Sequence, residues 1–560
     1  MFMDMKVREL AGFRMAFEGE VFSRGSTSVW YDGWFIPRFN CFDKFSAFKP
    51  HEIIFSLVDS GVTDFHDYIK GNFTLVVIRD FDVTIMTDFH SLSKVYYRLN
   101  SEVKEYSNSY QSLITSSDHE DRLYPAVLAL FQHPVAGRLP HENLRFVESP
   151  SYIVFSKQDI TSRCYWRPPD DSLTASESVS TRSLVNAFSK VVHDVSQYLG
   201  HKECVLTLTG GRDTRSVLAA LMKNGVEART FTFGFPSGKD VIVSNALADN
   251  LGLKFLNPRI DPLSAENYND WVSKLISYAD PFIHIHRAHR LQAYKEVAEK
   301  FPEIGFMWMG CMGGDYSKGV SFNDYIVSSF LRLYYSGVIS VEDCIRRVLI
   351  EHDFILVEEE VQALVKLVSE IDWLEDKWSK SAEMKLAYHF VGSLHDVQDM
   401  LLAKYCGYEV YSPFMDIDFL ELQLKSEFNL FHAMRNTRNP LMRLKGGELQ
   451  AHIICSLWPQ LGNLPLANDY KPKDILGNRV IYFVKRLYRQ MMKKPNLPTF
   501  SYGTWFVDWV KNKCLVLGRE DFTVNSDSSF SSKEGSWHWI TNKIWMDLFK
   551  REIDVRNSEK

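Results

Sequence analysis

Val205–Arg215 reads VLTLTGGRDTR. The apolar run Glu203–Leu208 meets a Thr-Gly-Gly turn, and Asp213–Met222 then carries apolar residues at helical spacing. A buried strand passing through a tight glycine turn into a helix is the unit of a parallel α/β sheet. Gly210 and Gly211 allow a ligand to approach the backbone closely, and the helix start offers unpaired N–H groups to an anion. Thr209 and Thr214 can add hydroxyl donors. Asp213 would repel a bare phosphate; Mg²⁺ between carboxylate and phosphates accounts for it. The pattern GxxxxGK[ST] is absent, so this is not a Walker loop.

Downstream, Glu227–Phe235 reads as a strand, Val241–Gly252 as a helix and Gly305–Gly310 as a strand ending in a Gly-rich turn. From about 320 to 440 the spacing is mostly helical, as in Val357–Trp373. Upstream, a helix runs from Thr181 towards Gly200, preceded by Arg167–Ser180 (RPPDDSLTASESVS), a linker by composition. The segment before it is β-rich, with strands at Phe73–Ile78, Val83–Thr87, Lys94–Arg98 and Ser151–Ser156. Consecutive short strands predict antiparallel sheets in a sandwich.

The chain has 560 residues, 45% hydrophobic and 14% aromatic, which excludes a disordered chain. A net charge of -6 argues against a nucleic-acid-coated protein. Eight cysteines scattered from Cys41 to Cys514, with no CxxC, are too sparse for a disulfide scaffold. The first residues, MFMDMKVREL, lack the apolar core of a signal peptide, and no run approaches the ~18 apolar residues of a membrane helix. The expectation is a cytoplasmic protein without a transmembrane segment.

TGGRDT resembles the SGGxDS pyrophosphate loop of the ATP pyrophosphatases, and the chain from roughly 60 to 470 is similar to the asparagine synthetase family. Further segments follow the family's order: Phe231–Phe235 (FTFGF), Lys239-Asp240 before a helix ending in Leu251-Gly252, Met309–Tyr316 (MGCMGGDY), Glu409–Asp416 (EVYSPFMD), then Arg438–Leu444 and Leu457–Pro465. Upstream, Lys70–Tyr97 resembles the family's glutaminase pattern, and Cys164-Tyr165-Trp166 stands where Tyr-Trp often precedes the synthetase part.

The resemblance implies an α+β protein of two domains. Residues 1–166 would form a degenerate, Ntn-hydrolase-like antiparallel β-sandwich with helices. After a linker at 167–182, residues 183–470 would form a parallel-sheet α/β ATP pyrophosphatase domain of the adenine nucleotide alpha hydrolase type. A basic, Trp-rich extension, 471–560, would pack on it. ATP would bind with its pyrophosphate on Thr209, Gly210, Gly211, Asp213 and Thr214, its adenine beside Leu208, Phe233 and Gly234, and Gly310 nearby. Asp213 and Asp315 would hold Mg²⁺, and Arg443 would join them in catalysis. A substrate carboxylate would attack the α-phosphorus, and an amine would displace AMP from the acyl-adenylate.

Three departures bear on function. Glutamine-using members carry a nucleophilic Cys directly after the initiator Met. Here Phe2 stands there, which predicts no glutamine hydrolysis if the start is the biological one. Met312 stands in the second loop where ammonia-using members have an acidic residue, and Tyr411 stands in place of the arginine of ExRxPFLD. These point to a lasso-peptide cyclase or β-lactam synthetase-like ligase, acting on a small-molecule or peptide carboxylate and an amine. A precursor peptide or accessory protease is then a possible partner, and oligomeric state is open. The rivals are amidation of a sugar acid, asparagine-type amidation, and a nucleotide-binding pseudoenzyme.

Weaker signals remain. His284, His286 and His289 have metal-compatible spacing, but the cleft lining or plain surface are the readings to weigh against it. His51-Glu52 lacks the second His of a zinc protease motif. Lys471–Lys494 carries eight basic residues against one acid. Its Arg479–Lys494 part fits an amphipathic helix, either with an aromatic seam on the core, or binding an acidic or sugar-phosphate substrate, or on a membrane surface. Trp505, Trp509, Trp537, Trp539 and Trp545 would anchor the tail.

Overall fold

The computed structural model describes the backbone of Lys6–Leu10 and Phe13–Phe17 and most residues from Val21 to Met491. The longer stretches outside the described residues are 169–178, 259–269, 276–282, 319–325, 376–381, 389–396, 431–446 and 492–560. The Trp-rich segment, Arg438, Arg443, His284, His286 and Phe2 therefore lie outside them.

Among the described residues eleven strands precede residue 166: β1 (Lys6–Leu10), β2 (Phe13–Phe17), β3 (Val21–Arg24), β4 (Thr27–Pro37), β5 (Ile69–Arg79), β6 (Asp82–Thr87), β7 (Tyr96–Arg98), β8 (Lys104–Ser107), β9 (Leu144–Phe146), β10 (Ser151–Phe155) and β11 (Ile160–Cys164). They form two sheets, ordered β1-β2-β8-β7-β9 and β11-β10-β6-β5-β4-β3. The run Leu75–Ile78 of β5 is apolar at every position, and the packing explains why. Val76 and Ile78 join a cluster with Tyr106 of β8, while Leu75 and Val77 point the other way, into a cluster with Ile53, Ile54 and Leu57 of the helix Pro50–Asp59. Alternate residues face opposite sides, and here both sides are covered.

One expectation is corrected. The six-stranded sheet is antiparallel, but β2 pairs with β8 in parallel, so the five-stranded sheet is mixed. A parallel pair needs a long crossover, and β3 to β7 supply it.

The helix Thr181–Tyr198 buries Leu184, Phe188, Val191, Val192 and Val195, the residues whose spacing predicts it. Ser180 caps it by accepting from the Ser183 N–H at 3.1 Å, so the helix begins inside the stretch expected as linker to 182. Among the described residues five strands follow: β12 (Glu203–Thr207), β13 (Glu227–Phe231), β14 (Phe255–Leu256), β15 (Phe306–Trp308) and β16 (Glu409–Tyr411). They make one sheet in the order β14-β13-β12-β15-β16, with every pair parallel. Strand β13 stops at Phe231, four residues earlier than expected; at Gly234 the chain takes φ +138°.

The winding sets the site. From β12 the chain moves outward to β13 and β14, then returns to the opposite side of β12 with β15 and β16. It therefore reverses between β12 and β15. In open parallel sheets the ligand crevice lies off the carboxyl ends of the strands at that reversal.

The sandwich is bonded to this sheet. Trp34 and Ile36 of β4 share an apolar cluster with Leu206, Trp308 and Tyr411, and the Trp34 and Tyr411 rings meet edge-on with centroids 4.9 Å apart. Beside them lies a buried charge cluster. Lys70 of β5 contacts Asp416 at 2.9 Å and Asp418 at 2.8 Å, and Arg38 contacts Asp418 and Glu421, both at 2.7 Å. Among the described residues no helix is long and apolar enough to cross a membrane.

Candidate active site

The two glycine-rich loops leave adjacent strands. The first follows β12 and enters the helix Asp213–Lys223; the second follows β15 and enters the short helix Asp315–Lys318. They touch at two glycines. A Cβ on Gly310 would stand 2.6 Å from the Thr214 nitrogen, and one on Gly313 would stand 2.7 Å from Asp213 Oδ1. No larger residue fits either position without moving the partner loop. Asp315 follows Gly313 by two residues, and the two sequence-predicted aspartates are each half-buried.

The first loop is held by its own hydroxyls. Thr214 Oγ1 accepts from the Thr209 N–H at 3.0 Å, and Thr209 Oγ1 from the Gly211 N–H at 3.3 Å. Thr209 is exposed, while Thr214 is buried. Two residues give the loop a rear wall. Asp240, in the first turn of the helix Lys239–Leu251, accepts from the Gly210 N–H at 3.0 Å, and the Ala467 N–H donates to the Gly210 carbonyl at 2.8 Å. Arg215 sets the segment that carries Ala467. Its fully buried guanidinium donates to the carbonyls of Leu464 and Pro465 at 2.8 and 2.9 Å. Burial pulls its pKa down to about 10.

The two loops are bridged by Gln450, on the helix Glu448–Leu457. Its Nε2 donates to Asp213 Oδ1 at 3.0 Å and to the Gly313 carbonyl at 2.6 Å, with Ser317 Oγ at 3.3 Å. One amide thus ties the aspartate of the first loop to the backbone of the second. Nothing in the sequence singles out Gln450, Arg215 or Ala467; their positions depend on which helix packs behind the loop.

The remaining expected residues are spread around this centre. Leu208 is fully buried among Leu206, Val217 and Trp308, and its backbone bonds the next strand: its N–H donates to Phe231 and its carbonyl accepts from Thr232 Oγ1. Phe233 and Gly234 lie on the loop leaving β13, where Asn257 Nδ2 donates to the Gly234 carbonyl at 3.2 Å. The Arg290 guanidinium sits 5.5 Å from the centre of the Phe233 ring.

Met312 and Tyr411 have other work. Met312 is buried in the core and takes φ +63°, a left-handed conformation that costs a non-glycine residue about 1–3 kcal/mol. Tyr411 is buried and its hydroxyl donates to Asp416 Oδ2 at 2.9 Å, so it belongs to the charge cluster against the sandwich. Desolvation pushes the Asp416 carboxyl up; the Asp418 carboxyl lies below the usual range, because Lys70 and Arg38 outweigh its burial. A cavity between the two regions is lined by His66, Lys70, His90, Tyr165, Tyr411 and Met415.

In the sandwich, Cys41 is half-buried and its thiol donates to the Tyr68 carbonyl at 3.1 Å. Burial pushes that thiol up, which makes it a poor nucleophile. His289 is buried in the first turn of the helix Ala288–Lys300. Among the described residues of the basic stretch Tyr482 packs on Tyr470, while Val480, Val484, Leu487, Tyr488 and Met491 are exposed, which speaks against the reading that seats this face on the core.

No family model matches the chain, and no curated protein matches it. Among solved structures it is similar to the NMN synthetase from Francisella tularensis, at 12% identity over 46% of this chain and 95% of that chain, with a TM-score of 0.19.

Proposed function

We propose that the chain is an ATP-dependent carbon–nitrogen ligase that adenylates a substrate carboxylate, releases pyrophosphate and lets an amine displace AMP. The observation that supports this most is the meeting of the two glycine-rich loops at the point where the sheet reverses its winding, with Asp213 and Asp315 on the same crevice. Half-exposed carboxylates are hard oxygen donors, and a pair on touching loops suits Mg²⁺. The ion, when bound, would neutralise charge on the leaving pyrophosphate. The chain's own groups do the rest. The start of the helix Asp213–Lys223 directs N–H groups at the phosphates, and Thr209 adds a hydroxyl. The two aspartates orient the metal–nucleotide, and the rear wall of Asp240 and Ala467 keeps the loop in one conformation. Catalysis of this kind is positioning and charge stabilisation.

In this reading residues 1–166 are a glutaminase-like domain, 183–470 the synthetase domain, and 471–560 an appended tail. The half-buried Cys41 is a poor nucleophile, and in this reading the amine comes from a second substrate or from the same molecule. A peptide or natural-product carboxylate fits this better than glutamine-dependent amidation. Product analysis tests the chemistry. With an ¹⁸O-labelled carboxylate substrate, one ¹⁸O should appear in AMP. Label in inorganic phosphate with ADP as product would replace this reading by attack at the γ-phosphorus. ATP binding with no turnover on any carboxylate would favour the pseudoenzyme.

A further inference from the structure

We infer that Gln450 is a positioning residue that sets the metal affinity of the crevice by fixing Asp213 and locking the two loops in register. The inference rests on the proposed function and names a residue that reading does not need.

Gln450 is fully buried. Its amide orientation is decided by its neighbours. Asp213 Oδ1 and the Gly313 carbonyl are both acceptors, so the NH₂ end must face them. The other end, Oε1, is buried with no hydrogen-bond partner among the described residues. Leaving an amide oxygen unsatisfied costs stability. A leucine there would avoid the cost, and would lose the bond to Asp213. The retained amide is thus explained by what its nitrogen holds. The helix carrying it is also anchored away from the loops: it packs on the helix Thr181–Tyr198 through the cluster that holds Leu449, Ile453 and Ile454. Asp213 is therefore referenced to the core rather than only to its own loop.

A hydrogen bond to one carboxylate oxygen fixes the plane of the group and directs the second oxygen. Partners of this kind, one step out from the metal, typically change metal affinity by about 10–100-fold when removed. Gln450 also joins Asp213 to the loop that carries Asp315 at a single donor, so loss of the amide would loosen both aspartates together.

The test uses the full chain, a non-hydrolysable ATP analogue and Mn²⁺ followed by electron paramagnetic resonance. Wild type should bind Mn²⁺ in the presence of the analogue, and Asp213→Ala should not. Gln450→Leu should weaken Mn²⁺ by about tenfold or more. Its affinity for the analogue in EDTA should stay within about twofold, a split that a general loss of structure would not give. If Gln450→Leu does not fold, Gln450→Met is read instead: it is close to Gln in volume and has no donor for Asp213, so it should also weaken Mn²⁺. Mn²⁺ affinity equal to wild type in a folded variant overturns the role of Gln450. Failure of wild type to bind Mn²⁺ with the analogue overturns the nucleotide reading itself.

Discussion

Two pairs of aspartates lie in this molecule, and their surroundings differ in kind. Asp416 and Asp418 face the sandwich, almost wholly buried, and are held by the cations Lys70 and Arg38. Asp213 and Asp315 stand half-exposed on loops at the end of the parallel sheet, and Asp213 is held by a neutral amide. The first arrangement carries its own counter-charge and joins two parts of the chain. The second fixes Asp213 through a neutral amide and leaves it and Asp315 half-exposed at the surface. Charge partner and exposure, more than the presence of acids, separate a structural cluster from a reactive one.

The largest expected effect falls on the buried cluster. Lys70→Met should lower stability by about 3–5 kcal/mol, because two carboxylates lose their buried partner, as read by urea unfolding. Asp213→Ala should change stability by no more than about 1 kcal/mol. Equal losses for the two variants would erase the distinction.

The next effect depends on pH. His90 is buried beside the cluster, its Nε2 3.1 Å from the Met415 carbonyl, and burial pulls its pKa down to about 4. A depressed folded-state pKa means that the unfolded chain takes up the proton first. The stabilisation is present above the ordinary imidazole range and is lost as pH falls from about 6.5 towards 4, by about 3 kcal/mol. His90→Gln should flatten the unfolding profile over that window. The Asp418 contribution has the same sign but is lost only below the usual carboxylate range. A variant profile as steep as wild type would place the titrating group elsewhere.

Gly313→Ala should cost about 1–3 kcal/mol, since its methyl would press on Asp213 and on the Phe414 ring. Unlike Lys70→Met, it should reduce nucleotide turnover per folded molecule. Smallest is Cys41→Ser, with stability within about 0.5 kcal/mol and no glutamate released from glutamine by either protein. Glutamine hydrolysis that disappears in the variant would mean that the sandwich is catalytic.

The strand–turn–helix of Val205–Arg215 is local, so it is legible: a buried parallel strand is apolar throughout, and the glycines mark the turn. The helix Thr181–Tyr198 is legible for the same reason. The parallel pairing of β2 with β8 is not, because pairing across some ninety residues leaves no local pattern. Gln450 is equally silent, being one polar residue in a buried helix whose importance comes from what faces it. Tyr411 reads as a departure in the catalytic region, yet it serves the buried charge cluster instead.

The central claim is that the crevice carrying Asp213 and Asp315 adenylates a carboxylate. Exchange of labelled pyrophosphate into ATP over a panel of small-molecule and peptide carboxylates tests it most directly. The account predicts exchange with wild type that needs both Mg²⁺ and one class of carboxylate. It predicts a loss on the order of 10³-fold in Asp213→Ala and in Asp315→Ala, with both variants folded. Undiminished exchange in either folded variant would contradict it.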